Sequence, residues 1–397
     1  MNIDPSWAFT YDPGTIHGGR GSIDSLGSTL RADGFKRALV ICGQSVGANE
    51  ALMTQIKDGL GETLVSIFNE TTPAKRLSSA AAALDMATSL EADILVGVGG
   101  GSSLDVTKQV AILAASEHSI DQLESMLAET HRLHVPEKDP LPIVSIPTTL
   151  AGADLGHGGG VSAERANGDM VSGGFSDPRL FPRHAVVDPG LIATTPPAIL
   201  RGSAMNGFNK GIETLYASSA TPITDATALR GVSLLVDSLP VLGDPPVSAH
   251  ELADVATGMV LVQYGIARPQ VGTLSVIHAV GHGIRRTSGI QQGVAHAIMT
   301  PLVLALLFEQ VDGRRSLLAD ALGVPATPDP ASAIIDRIVS LRDSLNLPTN
   351  LRAVDGPTKA DFPQIIDIIL EDPLLGNAPP DLVLTSEALE EMLLAAW

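Results

Sequence analysis

The chain has 397 residues, 44% of them hydrophobic and 17% charged, a balance that suits a globular fold of about two domains and excludes a disordered one. A formal net charge of −19, with no cluster of Lys and Arg, excludes a nucleic-acid-binding surface, which needs a dense basic patch. Cys42 is the single cysteine, so no internal disulfide can form, as suits a reducing compartment.

The first stretch, MNIDPSWAFTYDPG, lacks the basic and apolar blocks of a secretory signal. No apolar run reaches the roughly 18 residues a membrane span needs. A cytoplasmic protein without a membrane partner is therefore expected. Residues 34–47 (GFKRALVICGQSVG) read as a strand, ALVIC, and a glycine-bearing turn, which makes Cys42 a buried, inert thiol rather than a nucleophile. A helical stretch follows, then a short strand at 64–69 (LVSIFN). Residues 78–90 are alanine-rich and helical, and they lead into the apolar run 94–98.

That run empties into Gly99, Gly100, Gly101, Ser102 and Ser103, followed by a helix over 106–115. A strand that ends in glycines before a helix N-terminus is an anion site: backbone N–H groups point outward and the helix dipole favours negative charge. It is neither a Walker loop nor a GxGxxG fingerprint, and taken alone an ordinary tight turn accounts for it equally well. The next strand, 141–146, ends at PTTLAGAD. Strands alternating with helices predict a parallel α/β sheet, whose ligands bind beyond the carboxyl ends of the strands. Both the glycine loop and residues 147–154 lie at such ends.

HGGGVS at 157–162 reads as a flexible hairpin with a solvated His157, and residues 167–183, rich in Gly, Ser and Pro, as a loop or hairpin. VVDPGL at 186–191 closes this half. Beyond Pro196 and Pro197 the spacing of apolar residues is helical with little strand signal. The expected division is an α/β domain over 1–190 and an all-helical domain over 191–397. The last 70 residues read as small amphipathic helices without legible chemistry.

Taken in order, GVGGGSSLDVTK, SIPTTLAGAD, VVDPGL, HAVGH and GVAHAIMTP resemble the iron-containing alcohol dehydrogenase superfamily, with its dehydroquinate synthase-like fold. TIHGG, PTTLAGAD, DPRLFPRHAVVDP and MNGFNKGIETLYA are most similar to its maleylacetate reductase branch. The resemblance implies NAD or NADP lying across a cleft, its diphosphate on residues 99–103, with Asp105, Thr148 and Thr149 nearby. For the two threonines a strand-end turn role remains open. Many relatives carry an Asp at the end of the first strand to hold the adenosine ribose, and Gly43 stands there in this chain. The loss of that carboxylate removes repulsion of a 2′-phosphate, so NADPH should be tolerated. The resemblance further implies a homodimer or larger assembly.

Metal-dependent members bind a divalent ion through an Asp and a His four apart and two His fourteen apart. The matching positions are Asn206, Lys210, His278 and Gln292, with both spacings intact. Two neutral amides, an amine and one imidazole are a poor set for iron or zinc, so no catalytic metal is expected. Lys210 lies one turn from Asn206 on the same helix face, and its ammonium can take over the polarising of a carbonyl, held by the amide oxygens of Asn206 and Gln292. A lysine that merely snorkels to water fits the same pattern.

His278 and His282 form HxxxH on one helix face. His282, and less directly His278, are the candidate proton donors to the product alkoxide, against the alternative of two core histidines. His296 either steers a substrate carboxylate or is a satisfied core residue. Arg285 and Arg286 pair with a carboxylate or serve the helix dipole. Relatives usually carry a cofactor-touching lysine after the PTT motif, but none occurs here between Lys138 and Lys210. The expectation is a metal-independent NAD(P)H-dependent reductase of a small oxo-carboxylate such as maleylacetate. The alternative is a non-redox lyase, isomerase or cofactor-binding relative on the same fold.

Overall fold

The computed structural model describes residues 7–10, 14–165, 168–266, 268–269 and 271–397. Most of the stretch read for a signal, and Asn167 at the start of the expected loop, lie outside the described residues. The chain divides into two compact units.

One unit, Tyr11–Thr195 with Ser248–Ala256, is α/β as expected. Its strands are β1 (Thr15–Gly18), β2 (Ala38–Gly43), β3 (Leu64–Thr71), β4 (Ile94–Gly99), β5 (Ile143–Pro147), β6 (Gly158–Glu164), β7 (Met170–Ser176) and β8 (His184–Val187). Six of these form a parallel sheet in the order β1-β8-β5-β4-β2-β3, while β6 and β7 pair antiparallel by themselves. Between them run α1 (Leu26–Ala32), α2 (Gln44–Gly47), α3 (Glu50–Leu60), α4 (Leu77–Ser89), α5 (Gly101–Ala115) and α6 (Ile120–Thr130), and α7 (Pro189–Ile192) follows β8.

The sheet is buried on both faces, which is why its strands read as continuous apolar runs. Along β2, Leu39 and Ile41 join one core with Leu95 and the helix residues Val106 and Val110. Ala38, Val40 and Cys42 join the other, with Ile23, Leu26 and Ile56. Cys42 is fully buried, and burial pushes its thiol up to about 11, so it is inert at neutral pH. The chain passes to the other unit at Pro196 rather than at 191, because Leu191 is still part of the sheet's core.

Of the loop or hairpin expected over 167–183, a hairpin forms, with β7 as its second strand. β7 pairs with β6 from Gly158↔Ser176 to Glu164↔Met170, and the glycines of HGGGVS sit within that register.

The second unit comprises Met1–Thr10, Pro196–Val247 and Thr257–Trp397. It is built from α8 (Pro197–Tyr216), α9 (Pro222–Ser238), α10 (Leu252–Ile266) from Thr257 onward, α11 (Val276–Ser288), α12 (Gln292–Gln310), α13 (Arg315–Leu322), α14 (Pro330–Ser344), α15 (Phe362–Leu370) and α16 (Ser386–Ala396). Contrary to the sequence expectation, two segments are long and apolar enough to cross a membrane: Pro222–Gly243 and Gln292–Gln310. The second has 67% of its most apolar stretch buried within the fold, the mark of a core helix.

Candidate active site

The carboxyl ends of four adjacent strands converge, since Gly43 pairs with Thr71 and Gly99 with Pro147. Gly99 has φ +139°, a conformation that L-residues rarely adopt, and a Cβ there would lie 3.0 Å from Ser103 Oγ. Gly100 begins α5 in an extended conformation with no side-chain cap, so the first-turn amides are left for an anion. The glycines admit neighbours at close range: a Cβ on Gly100 would sit 3.3 Å from Thr149, and one on Gly101 would sit 3.4 Å from Ala153. Thr148 N–H donates to Gly99 O at 3.0 Å, and Thr195 Oγ1 donates to Thr148 O at 2.5 Å. The two loops are thus tied edge to edge. Ser103 is buried and shares a 2.8 Å hydroxyl bond with Thr71, beside Gly43. This cradle fits the diphosphate of a dinucleotide.

Asp105 is engaged inside the unit. Its carboxylate holds Lys75 Nζ at 2.5 Å and accepts the Gly160 N–H at 3.0 Å. The glycines of HGGGVS admit that approach, because a Cβ on Gly159 would lie 2.6 Å from Phe175 and 2.7 Å from Asp105. His157 is not simply solvated: its Nδ1 is 3.0 Å from Ser176 Oγ and its ring packs on Phe181. A lysine does reach the loop after PTT, from within α5. Lys108 is fully buried and donates to the carbonyls of Ala153 (3.3 Å) and Gly158 (3.1 Å), and burial lowers its ammonium from the usual lysine range.

In the helical unit, α8 carries Asn206, Lys210 and a third residue that sequence reading missed. Glu213 has no exposed surface. One oxygen accepts the backbone N–H of His278 at 2.9 Å, and the other bonds the imidazole Nδ1. The carboxyl therefore fixes both the start of α11 and the ring it carries. Burial pushes Glu213 up to about 8, against the pull of backbone N–H groups from His278, Ser275 and Ile277 and of the His282 charge. Near neutrality Glu213 then carries the proton and donates to Nδ1, and the neutral imidazole bears its own hydrogen on Nε2. That Nε2 is buried without a hydrogen-bond partner among the described residues. Burial and the Lys210 charge hold His278 well below the usual histidine range.

One turn further, His282 is partly exposed, and its Nδ1 is 2.7 Å from Asp372 Oδ2. Burial works to raise the Asp372 carboxyl, but the hydrogen bond and charge of His282, the Leu374 N–H and the Arg286 charge together lower it. Asp372 lies in the C-terminal region that showed no legible chemistry. His296 packs edge-on against His278, with ring centroids 4.5 Å apart, and Gln292 Nε2 lies 3.5 Å from its Nε2. Gly281 makes the room, since a Cβ there would lie 2.3 Å from His296 Nε2. Burial, then the charges of the other two histidines and Lys210, hold His296 well below its usual range. The Asn206 Oδ1 is buried and has no hydrogen-bond partner among the described residues.

Residues 13–189 match the model of the iron-containing alcohol dehydrogenases, and residues 202–397 match that of the Fe-containing alcohol dehydrogenase family, C-terminal. The chain belongs to the iron-containing alcohol dehydrogenase family. It is an NAD-dependent oxidoreductase, as the resemblance implied. Among its relatives, the NAD-dependent methanol dehydrogenase of Bacillus methanolicus is 26% identical over 334 residues, 83% of each chain. The maleylacetate reductase of Pseudomonas sp. (strain P51) is 26% identical over 371 residues, 91% of each chain. A 1,3-propanediol oxidoreductase structure superposes with a TM-score of 0.86 at 21% identity, covering 98% of this chain and 100% of that one, which speaks to the fold.

The family's name raises the question of a metal. The positions that would hold it carry the amides of Asn206 and Gln292, the amine of Lys210 and the single imidazole of His278. Among the described residues, no group of three or more His, Cys, Asp or Glu comes together in a ligating arrangement. A cationic amine within a donor set repels a divalent ion, and neutral amides bind it weakly, so these residues do not fit iron or zinc.

Proposed function

We propose that this family member reduces the carbonyl of a small oxo-carboxylate, with maleylacetate as the model of the class, using NADH or NADPH and no catalytic metal. The observation that carries this reading is the exchange of ligands for donors: Lys210, together with an imidazole whose Nδ1 is bonded to the Glu213 carboxyl, stands where ligands would converge. The relationship to a maleylacetate reductase supports the substrate class. The bound dinucleotide supplies the hydride.

The chain's own residues manage charge and proton. Lys210 keeps a positive charge beside the carbonyl oxygen, a role supported by the lowering its charge adds to burial at His278 and His296. His278 Nε2–H donates to the same oxygen, and its burial favours the neutral imidazole, which adds no second charge. Donors aimed at a developing alkoxide and fixed in advance lower the barrier without reorganisation. His282, more exposed and held at Nδ1 by Asp372, delivers the proton from Nε2. Gly43 leaves space for a 2′-phosphate, hence acceptance of either dinucleotide.

The test is Lys210→Met, which keeps length and removes charge. Loss of one such electrostatic donor should lower kcat by about 10²–10³-fold with little change in dinucleotide affinity. Undiminished turnover in the variant, or activity of the wild type abolished by a chelator and restored by iron or zinc, refutes the reading.

A further inference from the structure

We propose that Arg285 and Arg286 together form the element that recognises a substrate carboxylate, and so set the preference for oxo-acids over neutral carbonyl compounds. This rests on the reading above that the substrate is an oxo-carboxylate, and it names the residues that read the charge.

The two arginines follow His282 by three and four positions on α11, the spacing that makes residues neighbours on one helix face. One helical turn is about 5.4 Å, the span between a carbonyl and a carboxylate a few bonds away in one small molecule. A carboxylate on this turn therefore leaves its carbonyl at the level of His282.

The electrostatics of the chain make the pair conspicuous. Acidic residues number 44 against 25 basic ones, and four arginines in other parts of the chain are paired with carboxylates: Arg76 with Glu164, Arg179 with Asp177, Arg314 with Asp225 and Arg342 with Asp343. Neither Arg285 nor Arg286 makes an ion pair or a side-chain hydrogen bond among the described residues. Asp372 feels the Arg286 charge, but its oxygens already accept from His282 and from the Leu374 N–H. Arg286 is exposed and Arg285 partly so. Two guanidiniums left open beside a proton-delivering dyad, in a strongly acidic chain, are suited to an anion that arrives and leaves. The C-terminal helix dipole helps to hold them there but is satisfied by either one. The planar fork of each matches a carboxylate bidentately.

The experiment compares the wild type, Arg285→Gln, Arg286→Gln and the double variant on oxo-acids and on neutral aldehydes of equal chain length, with dinucleotide affinity measured by fluorescence. In the double variant kcat/KM for oxo-acids should fall about 100-fold, chiefly through KM, as expected for loss of hydrogen bonds to a charged group. Turnover of the aldehydes and dinucleotide affinity should stay within about threefold of the wild type. The Arg→Lys pair, which keeps charge but loses the fork, should recover only part of the loss. An equal loss on both substrate classes, or no loss on either, overturns the arginine assignment while leaving the substrate class standing. A wild type that does not prefer oxo-acids overturns the substrate class itself.

Discussion

Replacing Glu213 by Gln should uncouple the stability of the helical unit from alkaline pH. The native carboxyl sits near 8, pushed there by burial, against 4.5 for the group when unburied. Between those values the folded state binds more protons than the unfolded one, so stability falls as pH rises, by about 1.4 kcal/mol per unit, and the loss levels off above 8. Below 6.5 the depressed His278 and His296 act in the opposite sense, because their folded forms bind fewer protons. The clean window therefore opens at pH 6.5. From there to pH 9 the wild type should lose about 2 kcal/mol through Glu213.

Glutamine reproduces the neutral acid, donating from its amide to His278 Nδ1 and accepting the His278 N–H, yet it does not titrate. It should match the wild type in turnover near neutrality and exceed its stability increasingly towards pH 9. Both tryptophans, Trp7 and Trp397, belong to the helical unit. Urea unfolding followed by their fluorescence thus reports on the right part of the chain. Parallel stability curves for the two proteins from pH 6.5 to 9 would refute the protonated Glu213 and, with it, the Nε2–H of His278.

Two more outcomes follow from packing and hydrogen bonding. Asp372→Asn keeps size but turns an acceptor into an ambiguous partner for His282 Nδ1; kcat should fall about 10–100-fold with dinucleotide affinity unchanged, measured by steady-state kinetics. Gly159→Ala drives a methyl group to 2.6 Å from Phe175 and 2.7 Å from Asp105, and should cost about 1–3 kcal/mol of stability in denaturant unfolding.

What the sequence made legible follows from the range of each interaction. The glycine loop and PTT turn are local: residues 97–103 and 147–149 carry their geometry in their own backbone, so composition alone marks the strand ends. The altered ligand set was readable because helical spacing survives substitution. Glu213 was invisible because its partner is 65 positions away, and an acidic residue three past a lysine on a helix looks like a surface pair. Asp372 was hidden by 90 positions and by its place among small amphipathic helices that carry no legible motif. The glycines of HGGGVS stood out as unusual, yet their cause is tertiary: Phe175 and Asp105 press against the hairpin. The threonines' turn role, left open by sequence, has support in the Thr148–Gly99 and Thr195–Thr148 bonds.

The arrangement on α8 explains why loss of the metal set leaves a coherent site rather than a ruin. Asn206, Lys210 and Glu213 fall at i, i+4 and i+7, one stripe of the helix. A metal would need acceptors along that stripe; Lys210 offers a cation instead, and its charge adds to burial in lowering both His278 and His296. His278 and His296 are accordingly held neutral, and a neutral imidazole on a protonated Glu213 presents a donor, not a lone pair. His282 is more exposed, and its Nδ1 is tied to Asp372. Burial thus separates the two kinds of imidazole on which the proposed roles rest: enclosed rings for the oxygen, and one accessible ring for the proton.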